Sequence, residues 1–266
     1  MSDQTVPILM YHSVATAPNE ATRALSVAPE AFAEQMAMLA DLKFTPVSTA
    51  DLARSWREGA PLPERPVLIT FDDGYEGVHR HALPVLAGHG FASTLFVSTG
   101  WIRGAHDTGG GLDTMLGWDQ VRELAGAGVE IGGHSHTHPQ LDRLPDDALR
   151  FELVHCAEII TDELGTRPVS FAYPYGYSSR RVRRTVRETG YRQSLAVGNG
   201  LARRRQGPYA LQRVTVRRNT DAEEFERLVQ GRAIVRNFAR DRALTKGYAV
   251  VRRTRQACRK AIRSRV

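Results

Sequence analysis

Two adjacent carboxylates end an apolar run in this sequence of 266 residues. Asp72 and Asp73 follow Val67–Phe71 and precede Gly74, which permits a tight turn. Neighbouring carboxylates repel each other, and their burial is costly unless a cation or hydrogen-bond donors offset the charge. Because side chains alternate along a strand, the two should diverge, so that one binds a metal ion while the other stays free as a base. An acidic turn that caps the next helix is the structural alternative.

A histidine cluster lies further along the chain. His134 and His138 are four residues apart, and in one helical turn both would project to the same face. Together with Asp73 they form a set of two imidazoles and one carboxylate, which suits Zn2+, with Co2+, Ni2+ or Mn2+ as other candidates. The remaining coordination positions are then free for water and substrate, the arrangement of metal-assisted hydrolysis. A purely structural role for the histidines is the alternative.

Two more candidate groups stand at the ends of predicted strands. The turn from Tyr173 to Gly176 presents the aromatic faces of Tyr173 and Tyr175, which suit sugar rings, and backbone N–H groups that could stabilise an oxyanion. Its alternative is a packing turn rich in aromatic residues. His12 ends the first predicted strand, where it could act as a general acid, although a hydrogen-bonded core histidine is the simpler interpretation.

Alternating strand-like and helix-like segments must position these residues. About seven strands separated by helices predict an α/β protein built from parallel βα units. Strands that begin at Val67, Val129 and Val169 end in the turns with the candidate residues, and βα barrels gather their active sites at such carboxyl ends. The Gly-rich stretch Trp101–Leu116 predicts a long functional loop. The predicted strands are residues 6–14, 44–47, 67–71, 92–97, 129–131, 169–172, 191–197 and 209–216, and the predicted helices are residues 29–42, 49–58, 76–89, 118–127, 145–164, 178–189 and 221–229.

Composition limits the remaining possibilities. An apolar content of 42% supports a sizeable core, enough for one large α/β domain or two small ones. Two cysteines, Cys156 and Cys258, do not make a disulfide framework. No apolar stretch reaches the ~18 residues of a membrane span, and the first residues do not resemble a signal peptide. These features predict a cytoplasmic protein.

The net charge of +7 is concentrated near the C-terminus. Residues 226–266 hold thirteen Lys or Arg and two acidic residues, interleaved with apolar residues. We therefore predict a main domain over residues 1–221 and a basic, helical C-terminal extension over residues 222–266. Residues 232–265 fit an interfacial segment at the inner face of an anionic membrane, with a solvated tail as the alternative. No nucleic-acid partner is expected, because no nucleic-acid-binding motif accompanies the charge, and the oligomeric state stays open.

Three segments resemble the first three motifs of the polysaccharide deacetylases, which are carbohydrate esterase family 4 with its NodB-homology domain. The segments are Thr70–Gly74, His134–His138 and Tyr173–Gly176, and the similarity extends over roughly residues 6–221. The resemblance implies that residues 1–221 are a catalytic domain with a distorted, TIM-like (β/α)7 barrel. It also implies an activity, the removal of acetyl groups from sugars with a divalent metal.

The same resemblance assigns roles to individual positions. Asp72 resembles the catalytic base, and Asp73 resembles the metal-ligating carboxylate. His134 and His138 resemble the two histidine ligands. Tyr175 resembles the residue whose backbone N–H helps to form the oxyanion hole.

The sequence departs from the family pattern at two places. Ala172 stands where the family has the arginine that orients the base, and the late Leu-x-His motif that supplies the acid is absent. Both departures are similar to a circularly shifted subgroup, the deacetylases of biofilm poly-N-acetylglucosamine, in which an N-terminal Tyr-His segment supplies the acid. This similarity implies His12 as the acid, Arg213 as the displaced arginine, and Trp118 as either a wall of the substrate groove or a core residue.

The leading interpretation is a metal-dependent hydrolase that removes acetyl groups, above all N-acetyl groups, from an amino-sugar-containing poly- or oligosaccharide or glycoconjugate. One alternative is another C–N hydrolase on the same fold, which opens cyclic amides. A second is a non-catalytic saccharide-binding protein. The intact metal triad favours the deacetylase, and a binding module would need no base such as Asp72.

Overall fold

Seven parallel strands close into a barrel in the computed structural model, which describes residues 5–232 together with Ile234 and Phe238. The strands of these residues are β1 (Thr5–Val6), β2 (Ile8–Tyr11), β3 (Thr45–Pro46), β4 (Pro66–Phe71), β5 (Thr94–Val97), β6 (Glu130–Gly133), β7 (Ser170–Ala172), β8 (Gln193–Val197), β9 (Ala202–Arg203) and β10 (Leu211–Thr215). Hydrogen-bonded neighbours follow the order β2, β4, β5, β6, β7, β8, β10 and back to β2, with every pairing parallel. β3 extends the sheet beside β4, and β1 pairs antiparallel with β9. The predicted α/β barrel is confirmed.

Helices connect the strands and cover the outside of the barrel. They are α1 (Pro29–Asp41), α2 (Thr49–Glu58), α3 (Leu83–His89), α4 (Trp118–Gly126), α5 (Asp146–Leu164), α6 (Arg180–Glu188) and α7 (Ala222–Val229). Local sequence sets their ends, as α2 illustrates. The Ser48 hydroxyl accepts the N–H of Asp51 at 3.1 Å, and the Asp51 carboxylate accepts the N–H of Ser48 at 3.0 Å. Gly59 then ends the helix in the left-handed conformation at φ 81°.

Alternation along the strands separates two hydrophobic layers. Leu68 belongs to a cluster drawn from β2, β4, β5, β7, β8 and β10, which fills the barrel interior. Its neighbours Val67 and Ile69 belong to a second cluster, which packs the strands against the helices. Every second residue therefore points inward, and the next inward positions after Leu68 are Thr70 and Asp72. By this register, the last inward side chains of each strand lie at the carboxyl end of the barrel.

The predicted helix over residues 76–89 is correct in place but irregular in form. Residues Val78–Ala82 make a turn of π-helix, and a regular α-helix begins only at Leu83. Pro84 lies at the second position of α3, where its missing N–H would break an i to i−4 bond if the helix ran through unaltered. The proline therefore accounts for the change of helix type at this point.

The first helix of the predicted C-terminal extension packs on the barrel. α7 buries Phe225 and Val229 in the layer between strands and helices, and Ile234 and Phe238 are buried as well. This helix therefore lies in the helical layer of the barrel. The rest of the basic segment, with its predicted membrane contact, falls outside the described residues. Within the described part of the chain, no helix combines the length and the apolar content needed to cross a bilayer.

Candidate active site

A cavity of about 840 Å3 lies at the carboxyl ends of the barrel strands. Its lining includes His12, Asp72, Asp73, His134 and His138. His12, Asp72 and His134 directly follow β2, β4 and β6 at inward-facing positions. The barrel therefore directs all three side chains toward a common centre. The structure thus brings together residues that lie more than a hundred positions apart in the sequence.

Three candidate metal ligands meet at one edge of this cavity. The Oδ1 atom of Asp73 lies 3.3 Å from Nε2 of His134 and 3.3 Å from Nε2 of His138. All three ligand atoms fall within 4.8 Å of one another. The Asp73 and His134 side chains are buried, and the His138 side chain is 10% exposed. This spacing matches that of donors around one metal ion.

The backbone reaches this arrangement through unusual conformations. Asp73 has φ 75°, which turns its side chain away from the outward position that strand alternation would give it. Ser135 and His138 are also left-handed, at φ 69° and φ 57°. The predicted helical turn from His134 to His138 is therefore wrong, because the segment is a loop in which the His138 N–H donates to the Ser135 hydroxyl at 3.0 Å. Backbone strain of this kind is concentrated at functional sites.

The chemistry of the triad fits a divalent cation. Nδ1 of His134 lies 2.8 Å from the Ala172 carbonyl, which can only accept, so Nδ1 carries a proton and Nε2 is the nitrogen that faces Asp73. The Asp73 Oδ1 atom is buried and has no hydrogen-bond partner among the described residues. A lone pair that faces a carboxylate oxygen at 3.3 Å is repelled unless positive charge lies between them. Two imidazoles and one carboxylate suit a transition metal ion.

Electrostatics at the triad also favour positive charge. Burial alone would lower the pKa of His134, but the neighbouring charges of Asp72 and Asp73 outweigh burial and raise that pKa. Burial would raise the pKa of Asp73, yet the adjacent imidazoles of His134 and His138 hold it well below its usual range. Asp73 is therefore an ionised carboxylate at neutral pH, as a metal ligand must be.

Asp72 is paired with a buried arginine from β10, which is separated from β4 only by β2. The Arg213 guanidinium, with no exposed surface, donates to both Asp72 oxygens at 2.6 Å each. A third contact, to the Thr70 hydroxyl at 3.3 Å, steadies the same guanidinium. Burial raises the pKa of Asp72, but the positive charge and hydrogen bonds of Arg213, together with the neighbouring His134, outweigh burial, so that the pKa lies below its usual value. Asp72 is thus ionised and rigidly oriented by Arg213, whereas Asp73 faces the two histidines.

His12 completes the polar side of the cavity. It is partly exposed there, and its Nδ1 atom is buried without a hydrogen-bond partner among the described residues. Burial lowers the pKa of His12, and the raising effect of Asp73 and Asp72 does not compensate. The imidazole is therefore mainly neutral at pH 7, and once protonated it releases its proton readily.

The aromatic turn from Tyr173 to Gly176 forms another wall of the cavity. Tyr175 is 54% exposed, and its ring centroid lies 4.8 Å from that of His138. Its backbone is left-handed at φ 59°, and the next residue, Gly176, has φ 72°. A Cβ on Gly176 would come within 2.5 Å of Val197, so only glycine fits this turn. The N–H of Gly176 is used inside the turn, where it donates to the Tyr173 carbonyl at 2.8 Å.

Two predicted saccharide contacts are buried, although Tyr173 is among the residues that line the cavity. Tyr173 has no exposed surface, and its hydroxyl is hydrogen-bonded to Ser194 at 2.6 Å and to the Tyr209 carbonyl at 3.0 Å. Trp118 packs in the hydrophobic layer between strands and helices and is not among the residues that line the cavity. Of the two roles considered for Trp118, the core role is the one its position supports.

Trp101 has the position in the cavity wall that is one of the two predicted for Trp118. It lines the cavity, and its ring centroid lies 4.6 Å from that of His138, on which Tyr175 also packs. Sequence reasoning missed this residue, although it begins the Gly-rich loop that was predicted to be functional. The loop assignment was a usable signal, because residues on loops that follow barrel strands often contribute to binding sites.

Comparison with known proteins places the chain in a family. The polysaccharide deacetylase family model matches residues 59–194. The chain is 28% identical over 211 residues to the putative polysaccharide deacetylase YxkH of Bacillus subtilis, covering 79% of this chain and 71% of that protein. It is 26% identical over 242 residues to the poly-β-1,6-N-acetyl-D-glucosamine N-deacetylase of Escherichia coli, covering 76% of this chain but only 35% of the relative.

Solved structures share the same fold. The Streptococcus pyogenes deacetylase PplD, in complex with acetate, superposes with a TM-score of 0.77 at 23% identity, over 86% of this chain and 99% of that one. IcaB from Ammonifex degensii gives a TM-score of 0.70 at 21% identity, over 85% and 96% of the two chains. With the family model matched across all three motifs and over half of the chain, this protein belongs to the polysaccharide deacetylase family.

Proposed function

We propose that this protein is a metal-dependent hydrolase that removes N-acetyl groups from an amino-sugar-containing glycan. One observation carries the proposal: an ionised carboxylate held by a buried arginine lies directly beside the metal-ligand triad in an open cavity. Asp72 Oδ2 is 3.9 Å from Nε2 of His134, while Arg213 holds both Asp72 oxygens. A general base fixed next to a metal site is the arrangement that hydrolysis by activated water requires.

Asp73, His134 and His138 would hold the metal ion, for which Zn2+ is our first choice and Co2+, Ni2+ or Mn2+ are the others. When bound, such an ion acidifies water and polarises a carbonyl group. The protein supplies the remaining parts of the reaction. Asp72 takes the proton of the attacking water, and Arg213 keeps the carboxylate ionised and correctly oriented for that transfer.

The other two groups act on the acetamide itself. The backbone N–H of Tyr175, presented by the strained turn, would donate to the oxyanion that forms on the acetyl carbonyl. His12 would protonate the departing nitrogen, for which a low pKa makes it an effective donor. The C–N bond then breaks with acetate and a free amino sugar as products.

The walls of the cavity and the relatives together support an N-acetylated sugar as substrate. Trp101 and Tyr175 both line the cavity and both pack on His138, and aromatic faces pack well on sugar rings. The E. coli relative is an N-deacetylase of poly-N-acetylglucosamine, which favours N-acetyl over O-acetyl groups for this chain. We therefore infer a β-linked N-acetylglucosamine oligosaccharide as the first substrate to test.

Acetate release from a panel of acetylated oligosaccharides tests the proposed function. We expect acetate from N-acetylglucosamine oligomers, its loss after treatment with a chelator, and its return when Zn2+ or Co2+ is restored. Release of acetate only from O-acetylated sugars would overturn the N-acetyl assignment. Full activity in the metal-free protein would overturn the role of the metal.

Removal of the arginine beside Asp72 should shift the pH dependence of turnover. In Arg213→Met, Asp72 loses the charge that lowers its pKa, so the pKa rises and the acid limb of the kcat/KM profile should move to higher pH. Because a buried charge is left unpaired, we also expect a loss of about 3–5 kcal/mol in the free energy of unfolding. Arg213→Lys keeps the charge and should show a smaller shift. An unchanged acid limb in Arg213→Met would contradict this account.

The proposed acid is tested by replacement of His12. His12→Gln should lower kcat by about 10²–10⁴-fold, the usual contribution of a general acid, while Zn2+ binding stays intact. His89→Gln, on the exposed end of α3, is the matched control and should be fully active. The comparison uses acetate release and metal content in both variants. A His12→Gln enzyme as fast as its control would remove His12 from the mechanism.

A further inference from the structure

The loop that carries both histidine ligands is fixed from two sides. Ser135 and His138 are left-handed at φ 69° and φ 57°, and a non-glycine residue keeps such a conformation only where its surroundings impose it. The contacts of His136 and Thr137, two of the three residues between the ligands, therefore contribute to how the ligands are oriented.

On one side, the chain beyond β5 binds the carbonyl groups of the loop. The N–H of Thr99 donates to the Ser135 carbonyl at 3.2 Å, and the N–H of Gly100 donates to the His136 carbonyl at 2.8 Å. A Cβ on Gly100 would lie 2.8 Å from the same His136 oxygen, so the close approach requires glycine. These bonds hold the loop against the barrel.

On the other side, a single buried carboxylate binds the donors of the loop. The Oε2 atom of Glu152, on α5, accepts the N–H of His136 and the N–H of Thr137, each at 2.8 Å. Its Oε1 atom accepts the Thr137 hydroxyl at 2.6 Å. The Glu152 residue is only 6% exposed, and these three donors all belong to the stretch between the two ligands. Charge-assisted bonds of this kind are among the stronger hydrogen bonds in proteins.

We propose that Glu152 is a positioning residue of the metal site. By holding His136 and Thr137, it fixes the separation and direction of His134 and His138 without touching the metal or the substrate. The inference rests on the metal site of the proposed function. The proposal predicts that the length of the Glu152 side chain, which we call its reach, and not its charge alone, determines the affinity of the site for the metal.

Two substitutions separate reach from charge. Glu152→Asp keeps the charge but shortens the side chain by one methylene, so the carboxylate can no longer meet all three donors. We expect Zn2+ affinity to fall by about 10–100-fold, as for other residues that orient metal ligands. Glu152→Gln keeps the reach, because its amide oxygen can accept both N–H groups while its NH2 donates to the Thr137 hydroxyl. We expect its Zn2+ affinity to stay much closer to that of the wild type.

A matched control lies on the strand that leads into the same loop. Glu130, at the amino end of β6, likewise accepts a backbone N–H and a hydroxyl, from Ala50 at 2.9 Å and from Thr49 at 2.5 Å. Glu130→Asp should lower the melting temperature of the metal-free protein and leave Zn2+ affinity unchanged. A merely structural role for Glu152 would give the same pattern.

The measurements are Zn2+ affinity by competition with a chromogenic chelator, the visible absorption of the Co2+ protein, and the melting temperature without metal. Wild-type affinity in Glu152→Asp, or an equal loss of affinity in Glu130→Asp, would overturn the positioning role. A loss of affinity in Glu152→Gln without a loss in Glu152→Asp would show that charge and not reach is decisive, which also overturns it. A wild-type protein that binds no Zn2+ would instead overturn the proposed function, so the two failures are distinguishable.

Discussion

Asp72→Asn is expected to abolish most turnover while leaving the metal site intact. The amide cannot take the proton of the attacking water, so kcat should fall by about 10²–10⁴-fold, the range for loss of a general base. Zn2+ content should be unchanged, because the ligand atoms of Asp73, His134 and His138 are not altered. Acetate release and metal content, measured on the same sample, test both halves of the expectation.

The stability of this variant must be measured alongside its activity. Asp72 accepts two bonds from Arg213, and an amide offers only one acceptor, so a buried guanidinium N–H loses its partner. We expect a loss of up to about 3–5 kcal/mol in the free energy of unfolding. Asp119→Asn, with a side chain that is 91% exposed, is the control for the same chemical change at the surface. Full activity in a folded Asp72→Asn protein would remove Asp72 from the role of base.

Much of this site could be predicted from the sequence because strand register does most of the positioning. The inward register of β4 leads through Leu68 and Thr70 to Asp72, and that of β10 leads from Leu211 to Arg213. The sequence therefore contains the information that both side chains point into the barrel. Parallel strands then bring their carboxyl ends to one edge, whatever the separation of the residues along the chain.

The parts that could not be predicted are those where the chain leaves regular structure. A spacing of four between His134 and His138 suggested a helical turn, but left-handed residues and the carboxylate of Glu152 shape a loop instead. No local sequence pattern indicates that Glu152, on α5, contacts this loop. Trp101 was missed for a related reason: both tryptophans are buried, and which of them lines the cavity depends on tertiary packing.

His134→Ala should also abolish activity, but through loss of the metal, whereas Asp72→Asn loses the base and keeps the metal. Removal of one of three protein ligands, together with its bond to Ala172, should weaken Zn2+ binding by more than about 100-fold, since even the loss of a supporting residue costs 10–100-fold. Metal that binds only the native state stabilises it by about 2.7 kcal/mol at 100 times its dissociation constant. We therefore expect added Zn2+ to raise the melting temperature of the wild type and not that of His134→Ala.

His79→Ala provides the control, because His79 lies outside the cavity and pairs with Glu123 on the surface. It should keep the Zn2+-dependent rise in melting temperature and the full rate of acetate release. The decisive comparison is with Asp72→Asn, which should show that rise without activity, whereas His134→Ala should show neither. An unchanged metal stoichiometry in His134→Ala would exclude it as a ligand. The adjacent aspartates would then need a different source of positive charge, because Arg213 donates its pair of short bonds to Asp72, and the buried Oδ1 of Asp73 has no hydrogen-bond partner in the part of the chain that the structure describes.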